Sequence, residues 1–294
     1  MKQAFGLSRT AWGMVLAAVV GIAMSAPELK AQEPGNAPET KAPQAAGATA
    51  TQSTPATTAA PQAKAPPTAA EIIARRSHDA YWIEHDKLVL VDFGDLGRFK
   101  AADAALPPPA PGDDRVVFMG DSITQGWKLE TSFPGKPYIN RGISGQTSPQ
   151  MLVRFRQDVI DVDAKVVVIL AGTNDLAENT GPMTLHETEE NLASMADLAT
   201  ANHIKVVLCS ITPSVNFPWF PGLDPAPKIA AINAWIKDYA AQKGYVYVDY
   251  FGALADPSGG FPQSLSFDGV HPKPAGYAIM APLAEAGIEK ALAQ

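Results

Sequence analysis

Four short polar clusters in the second half of the chain contain the residue types that acyl transfer requires. They are GDSIT around Ser122, NRGISGQ around Gly145, GTND around Asn174 and DGVHP around His271. A serine hydroxyl is a weak nucleophile at neutral pH, so it needs a base within hydrogen-bond reach and a third group that orients the base. Ser122, His271 and Asp268 suit these three roles. The spacing of three residues allows one loop to supply both Asp268 and His271.

Attack of a serine on an ester creates an oxyanion, which must be stabilised by donors held in place beforehand. Each such donor is worth about a hundred- to a thousand-fold in rate. The candidates are the backbone N–H of Ser122 at the start of a predicted helix, the N–H of Gly145, and the carboxamide of Asn174. Plain turn structure is the alternative explanation for Gly145 and Asn174, because both residue types are common in turns.

The elements that must position these clusters follow a regular pattern from Arg115 onward. Short β-branched runs alternate with longer helical stretches, which is typical of a parallel sheet covered by helices on both faces. The predicted strands are 115–119, 165–171, 205–210 and 245–250, with 138–141 as a weaker fifth. We therefore predict one three-layer α/β domain whose strand ends gather the polar loops into a single crevice.

Helix starts are also recognisable. Ser148 followed by Pro149 at the first helical position indicates one start, and Thr184 with Glu187 three residues later forms a predicted capping box. Further helices are predicted at 69–76, 228–242 and 274–292.

Taken together, the four clusters resemble the SGNH or GDSL hydrolases, a superfamily named for its Ser, Gly, Asn and His blocks. The resemblance implies that Ser122 is the nucleophile, Gly145 and Asn174 are oxyanion donors, His271 is the base and Asp268 is the acid. It further implies a flavodoxin-like sheet of about five parallel strands and a two-step acyl transfer to water without metal or cofactor. The chain is especially similar to the lysophospholipase-like and carbohydrate-acetylesterase-like bacterial members.

The N-terminal segment, residues 1–31, is predicted to be a signal peptide. Lys2 and Arg9 precede an apolar run from Ala11 to Ala26, and a cleavage site is expected near Ala31. An uncut membrane anchor is the alternative, but the run is shorter than the roughly 20 apolar residues that a spanning helix needs. We expect an exported protein, periplasmic or extracellular, with no stable membrane span after cleavage.

Residues 32–67 form a predicted disordered linker, because a segment of Ala, Pro, Thr, Gln and Gly cannot offset the entropy of ordering itself. The hydrolase domain is predicted to span 68–294, with an N-terminal flap at 68–110 and the catalytic core at 111–294. The formal net charge of −7 argues against nucleic acid as a partner.

Substrate contacts are expected from the proline-rich loop at 212–227, through Trp219 and Phe220, although packing against the domain's own core is the alternative for these rings. The expected partner is a small acyl ester, possibly an acetylated carbohydrate. The favoured function is a secreted serine esterase for short acyl, especially O-acetyl, esters.

Three other functions stay open. One is a lysophospholipase or thioesterase of the same family. Another is a metal-dependent phosphodiesterase that uses Asp121 and Asp175 beside His271, although hard metals usually require more carboxylates. The last is a non-catalytic carbohydrate-binding module.

Overall fold

Five parallel strands form the centre of the fold. They are β1 (Val116–Gly120), β2 (Tyr138–Gly142), β3 (Val166–Leu170), β4 (Lys205–Cys209) and β5 (Val246–Val248). Their order in the sheet is β2-β1-β3-β4-β5, and every neighbouring pair is parallel. This is the flavodoxin-like order, so the predicted fold class is confirmed. The computed structural model describes residues 79–294 and, ahead of them, positions 68, 70, 71 and 74.

The central strands are apolar along their whole length because both faces of the sheet are covered. In β1 (VVFMG) and β3 (VVVIL) every residue is buried, as expected for parallel strands between two helical layers. In β4, only the first residue, Lys205, is exposed.

Helices follow most of the strands. In chain order they are α1 (Ala80–Val91), α2 (Lys100–Ala104), α3 (Ser122–Gln125), α4 (Leu129–Ser132), α5 (Ser148–Phe155), α6 (Thr173–Leu176), α7 (Leu185–Ala201), α8 (Pro225–Lys243), α9 (Tyr250–Leu254) and α10 (Pro274–Leu292). A π-helical turn, Arg156–Ile160, continues α5. The capping box predicted for α7 is confirmed, since Thr184 and Glu187 bond reciprocally.

The start of α5 differs from the prediction by one residue. Thr147, not Ser148, is the N-cap and forms a capping box with Gln150. Ser148 lies inside the helix, where its backbone N–H donates to Asp175 Oδ2 at 2.9 Å and its hydroxyl donates to Asp175 Oδ1. The acceptor lies in α6, 27 residues further along the chain, and local spacing does not reveal it.

The described part of the N-terminal flap packs on the sheet's β2 edge. Arg141 of β2 forms an ion pair with Asp103, and its guanidinium lies 4.7 Å from the ring centroid of Phe99. The signal peptide and linker, and all but positions 70, 71 and 74 of the predicted helix at 69–76, lie outside the described residues. Among the helices that are described, none is both long enough and apolar enough to cross a bilayer.

Candidate active site

A continuous chain of hydrogen bonds joins the three residues predicted to form a triad. Ser122 Oγ lies 2.9 Å from His271 Nε2, and His271 Nδ1 lies 2.8 Å from Asp268 Oδ2. A carboxylate only accepts hydrogen bonds, so Nδ1 carries the ring proton and Nε2 is left to accept from the serine hydroxyl. The structure thus brings the predicted nucleophile and the predicted base within hydrogen-bond distance from positions 149 residues apart.

The loop around Asp268 is arranged to keep its carboxylate ionised. Burial by itself raises the pKa of Asp268, but hydrogen bonds from the backbone N–H and ring of His271 lower it more, and the net pKa is below the ordinary value. Oδ1 also accepts from the backbone N–H of Val270 at 3.0 Å. An ionised carboxylate favours the imidazolium that forms when His271 takes a proton.

Ser122 is the first residue of α3, directly after β1. The preceding residue, Asp121, is the N-cap, and its Oδ1 accepts from the backbone N–H of Ile123 at 2.9 Å. Asp121 is fully buried, and burial raises its pKa to about 6 despite this hydrogen bond. Asp121 is thus an acceptor that shapes the turn holding Ser122.

Gly145 occupies a position that favours glycine. Its φ is 80°, in the left-handed region. An added Cβ would lie 3.1 Å from Tyr81 Oη and 3.3 Å from His85 Nε2 of α1. Among the described residues, the N–H groups of Gly145 and Ser122 donate to no protein acceptor, so both are available to a ligand.

The side chain of Asn174 lies in α6, after β3, and is buried. Its Nδ2 donates to the backbone carbonyl of Gln146 at 2.9 Å. The carboxamide nitrogen carries two hydrogens, so one is left for an oxyanion. On the other side of the same loop, the N–H of Ser144 donates to Gln125 Oε1 at 2.6 Å. The loop between β2 and α5, which we call the oxyanion loop (residues 143–146), therefore contacts both α3 and α6.

Asn179 holds this arrangement together, and sequence reasoning missed it. Its Nδ2 donates to the Gly145 carbonyl at 3.0 Å and to Asn174 Oδ1 at 2.8 Å, and its Oδ1 accepts from Trp219 Nε1 at 3.1 Å. Asn179 is almost fully buried. Its only signal in the sequence is a second asparagine shortly after GTND, which resembles an ordinary turn residue.

The two aromatic residues predicted to bind substrate have different positions. Trp219 is half-buried, and its ring centroid lies 5.8 Å from that of His271. Phe220 is fully buried in the hydrophobic core, so the prediction that it contacts substrate is corrected. The proline-rich loop turns this ring inward, where burial of a large apolar side chain stabilises the fold.

A groove of about 570 Å³ lies between α1 and the oxyanion loop. Tyr81 lines it from α1, and its Oη lies 3.1 Å from the Ser144 hydroxyl on the opposite wall. Ser122 and His271 do not line this groove. The groove therefore lies beside the oxyanion loop and not beside His271.

The residues required by the metal hypothesis serve local structure. Asp121 caps α3, and Asp175 accepts from Ser148 and from the Thr188 hydroxyl. Within residues 79–294, no group of three or more His, Cys, Asp or Glu side chains is placed to hold a metal ion.

Comparison with known proteins agrees with this geometry. The profile of the GDSL-like lipase/acylhydrolase family matches residues 118–279. The esterase TesA of Pseudomonas aeruginosa is 30% identical over 168 residues, which cover 55% of this chain and 77% of TesA.

Two crystal structures from Bacteroides are also similar. One, from Bacteroides fragilis, is provisionally described as an acylhydrolase; it is 45% identical, with a TM-score of 0.67, and the match covers 68% of this chain and 99% of that one. The other is a GDSL-like lipase from Bacteroides thetaiotaomicron, with the same identity and coverage and a TM-score of 0.65. The matched segment contains all four polar clusters, and the chain therefore belongs to the GDSL-like lipase/acylhydrolase family of ester hydrolases.

Proposed function

We propose that this protein hydrolyses carboxylic esters through an acyl-enzyme formed on Ser122. The observation that carries the proposal is the unbroken series of hydrogen bonds from Ser122 Oγ through His271 to Asp268. In this mechanism His271 takes the serine proton as Ser122 Oγ bonds to the ester carbon. Asp268 stabilises the resulting imidazolium.

The tetrahedral oxyanion receives hydrogen bonds from the N–H groups of Ser122 and Gly145 and from the Asn174 carboxamide. His271 then gives its proton to the leaving alkoxide as the carbon–oxygen bond breaks, and the acyl group stays on Ser122. Water repeats the sequence: His271 removes its proton, the hydroxide oxygen bonds to the acyl carbon, and Ser122 leaves with the proton returned.

The substrate we favour is a short acyl ester, especially an O-acetyl group on a carbohydrate. The side chains of His271 and Asp268 are 33% and 34% exposed, so the base is open to solvent, which favours a short acyl group. The leaving alcohol must lie beside His271, because His271 protonates it. Trp219 lies there, and a flat aromatic ring suits the apolar face of a sugar.

A longer acyl chain, as in a lysophospholipid or an acyl thioester, is the second candidate. The groove beside the oxyanion loop supports it, because Leu88, Val89 and Phe93 contribute apolar side chains to its lining. About 0.8 kcal/mol of affinity per buried methylene would favour long chains if the acyl group entered this groove.

The test of the reaction is turnover of p-nitrophenyl acetate by the purified protein. We expect Ser122→Ala to lower kcat/KM by about 10⁴-fold or more, and His271→Ala to do comparable damage. Ser258→Ala, an exposed serine in another loop, is the matched control. Activity that disappears in chelator would favour the phosphodiesterase hypothesis. No turnover by the unmodified protein would favour a binding module.

Chain length is tested with p-nitrophenyl esters of increasing acyl length, acetylated sugars and a lysophospholipid. Our preferred substrate predicts that kcat/KM is highest for acetyl esters. Leu88→Trp, which narrows the groove, should then have little effect. If long esters are preferred and Leu88→Trp abolishes that preference, the second candidate is correct.

We also propose that the protein is exported, on the basis of the positively charged and then apolar N-terminal segment. When the full chain is expressed in a bacterial host, the mature protein should be found outside the cytoplasm with a new N-terminus near residue 32. Cytoplasmic protein that retains Met1 would contradict export.

A further inference from the structure

The guanidinium of Arg154, in α5, is completely buried, and hydrogen bonds fix all three of its nitrogens. Nη1 donates to Asp158 Oδ2 at 2.8 Å, Nη2 to the backbone carbonyl of Gly120 at 3.0 Å, and Nε to Gln146 Oε1 at 2.6 Å. The planar fork of arginine can hold three acceptors in fixed directions, which lysine cannot do.

Two of these acceptors belong to the segments that carry the proposed oxyanion donors. Gly120 ends β1, two residues before Ser122. Gln146 directly follows Gly145, and its own backbone carbonyl accepts from Asn174. Through two hydrogen bonds, Arg154 therefore fixes the distance between the loop after β1 and the loop after β2, and through Gln146 it also orients the donor after β3.

Gln146 extends this network to the flap. Its Nε2 donates to the backbone carbonyl of Gly94 at 2.9 Å. Both ends of its carboxamide are thus held, one by Arg154 and one by the segment after α1. Gln157, by contrast, makes the same kind of bond to this segment, to the Leu96 carbonyl at 2.9 Å. Among the described residues it also bonds to Asp158, but it makes no hydrogen bond to Arg154 or the oxyanion loop.

Burying an ion pair such as Arg154–Asp158 is an expensive way to stabilise a fold. Desolvation of two charges offsets most of their attraction, and apolar residues of similar volume often stabilise a protein as well or better. The π-helical turn that follows is also rare, and such turns occur frequently at functional sites. These features suggest a role for Arg154 beyond packing.

We propose that Arg154 is a positioning residue for the oxyanion hole and acts through the side chain of Gln146. The inference rests on the proposed ester hydrolysis. Loss of the Arg154–Gln146 bond lets the oxyanion loop move relative to Ser122, and a displacement of about 1 Å at a reacting centre can cost on the order of 100-fold in rate.

The test compares variants of Gln146, because Arg154→Met leaves Asp158 buried and unpaired and is expected to unfold. Gln146→Met removes the bonds to both Arg154 and Gly94. Gln146→Glu keeps an acceptor for Arg154, but it loses the donation to Gly94 and places a carboxylate oxygen against that carbonyl. Gln157→Met is the matched control, since it removes an equivalent bond to the flap, together with a hydrogen bond to Asp158, and leaves Gln146 in place. Arg154→Lys is a second way to weaken the contact while retaining a positive charge.

Two measurements separate positioning from general destabilisation. The first is kcat and KM with p-nitrophenyl acetate per folded molecule. The second is the inhibition constant of an aryl trifluoromethyl ketone. Ser122 Oγ adds to the ketone carbon, its proton passes to His271, and the hemiketal oxygen occupies the oxyanion hole.

We expect Gln146→Met and Arg154→Lys to lower kcat about ten- to 100-fold and to leave KM within about threefold. The inhibition constant of the ketone should rise by a factor similar to the loss of kcat. Gln146→Glu should recover most of kcat, and Gln157→Met should stay within about twofold of the unmodified protein.

The possible failures are distinguishable. If the unmodified protein neither turns over the ester nor binds the ketone, both the proposed reaction and the positioning role are contradicted. If it does both but Gln146→Met keeps the original kcat and inhibition constant, only the positioning role is overturned. Equal losses in Gln146→Met and Gln146→Glu, with an unchanged kcat in Arg154→Lys, would assign the effect to the flap contact and overturn the role of Arg154.

Discussion

The pKa values of two aspartates near Ser122 are shifted in opposite directions by their surroundings. Asp268 has several N–H donors and a neighbouring imidazole, which hold its pKa below the ordinary value despite burial. Asp121 is fully buried, has one backbone donor on Oδ1, and leaves Oδ2 without a protein partner among the described residues. Burial therefore dominates for Asp121, and its pKa rises to about 6. Residue type alone does not distinguish the two; their burial and the number of their donors do.

Asp121→Asn should stabilise the protein at neutral pH and have much less effect in acid. The folded pKa of about 6 lies above the ordinary 3.8, so the folded state holds a proton that the unfolded state releases as pH rises between these values. The unmodified protein loses stability over that window, by about 3 kcal/mol at most. Asparagine keeps an acceptor for Ile123 and has no such penalty.

Urea denaturation near pH 4 and near pH 8 measures the effect on the free energy of unfolding. The gap between Asp121→Asn and the unmodified protein should be larger at the higher pH. If the difference in free energy of unfolding between the two proteins is the same at both pH values, Asp121 is not a source of pH dependence.

Gly145→Ala should lose both stability and activity. Alanine at a φ of 80° costs about 1–2 kcal/mol, and its Cβ would press on Tyr81 Oη. Gly135→Ala is a matched control, because Gly135 has a φ of 76° and open space around the added carbon.

Thermal unfolding should show destabilisation of both alanine variants, at least as large for Gly145→Ala, whereas kcat/KM should fall by about tenfold or more only for Gly145→Ala. Equal activities would remove Gly145 from the proposed oxyanion hole.

At the scale of elements, the strand order explains why the site forms where it does. β1 lies between β2 and β3, so the loops after these three parallel strands end at one edge of the sheet. They carry Ser122, Gly145 and Asn174. His271 arrives from the loop before α10, and α10 is tied to α3 by the hydrogen bond from Tyr277 Oη to the Ile123 carbonyl at 2.7 Å.

Asn179→Ala should impair the reaction without contact to the substrate, because it removes the bonds that connect the loops after β2 and β3. We expect kcat to fall about tenfold or more, with a smaller change in KM. Steady-state kinetics with p-nitrophenyl acetate measure this, and Asn216→Ala, an exposed residue in the proline-rich loop, is the control. Unchanged kcat in Asn179→Ala would mean that the loops hold their positions without it.

At the scale of the whole molecule, one hydrophobic core extends over both faces of the sheet, from Val116 to Ala291. The flap adds side-chain and backbone contacts at the β2 edge and around the oxyanion loop. The predicted division into signal, linker and hydrolase domain stays a prediction, because the first two lie outside the described residues.

Removal of residues 1–67 should leave the hydrolase intact. The fragment 68–294 contains the core, the flap and every proposed site residue, so it should unfold in one cooperative transition and keep kcat/KM within about twofold of the mature protein. Calorimetry and ester hydrolysis check this. A broad transition, or a tenfold loss of activity, would show that the linker contributes to the folded domain.

Local signals in the sequence determined a large part of this protein. Alternating β-branched and helical runs predicted all five strands, and the polar clusters at Ser122, Gly145, Asn174 and His271 predicted which loops would meet. These features were readable because strand periodicity, helix capping and motif spacing depend on residues close together in the chain.

Other features depended on contacts between distant segments, and only the tertiary structure decided them. Ser148 appeared to be a helix cap until Asp175, 27 residues away, proved to be its acceptor. Phe220 appeared to be a ligand contact but packs in the core. Asn179 and Arg154 show no motif at all, because their importance comes from the strands and loops that folding places around them. Burial and long-range hydrogen bonds are properties of the assembled chain, so no local pattern encodes them.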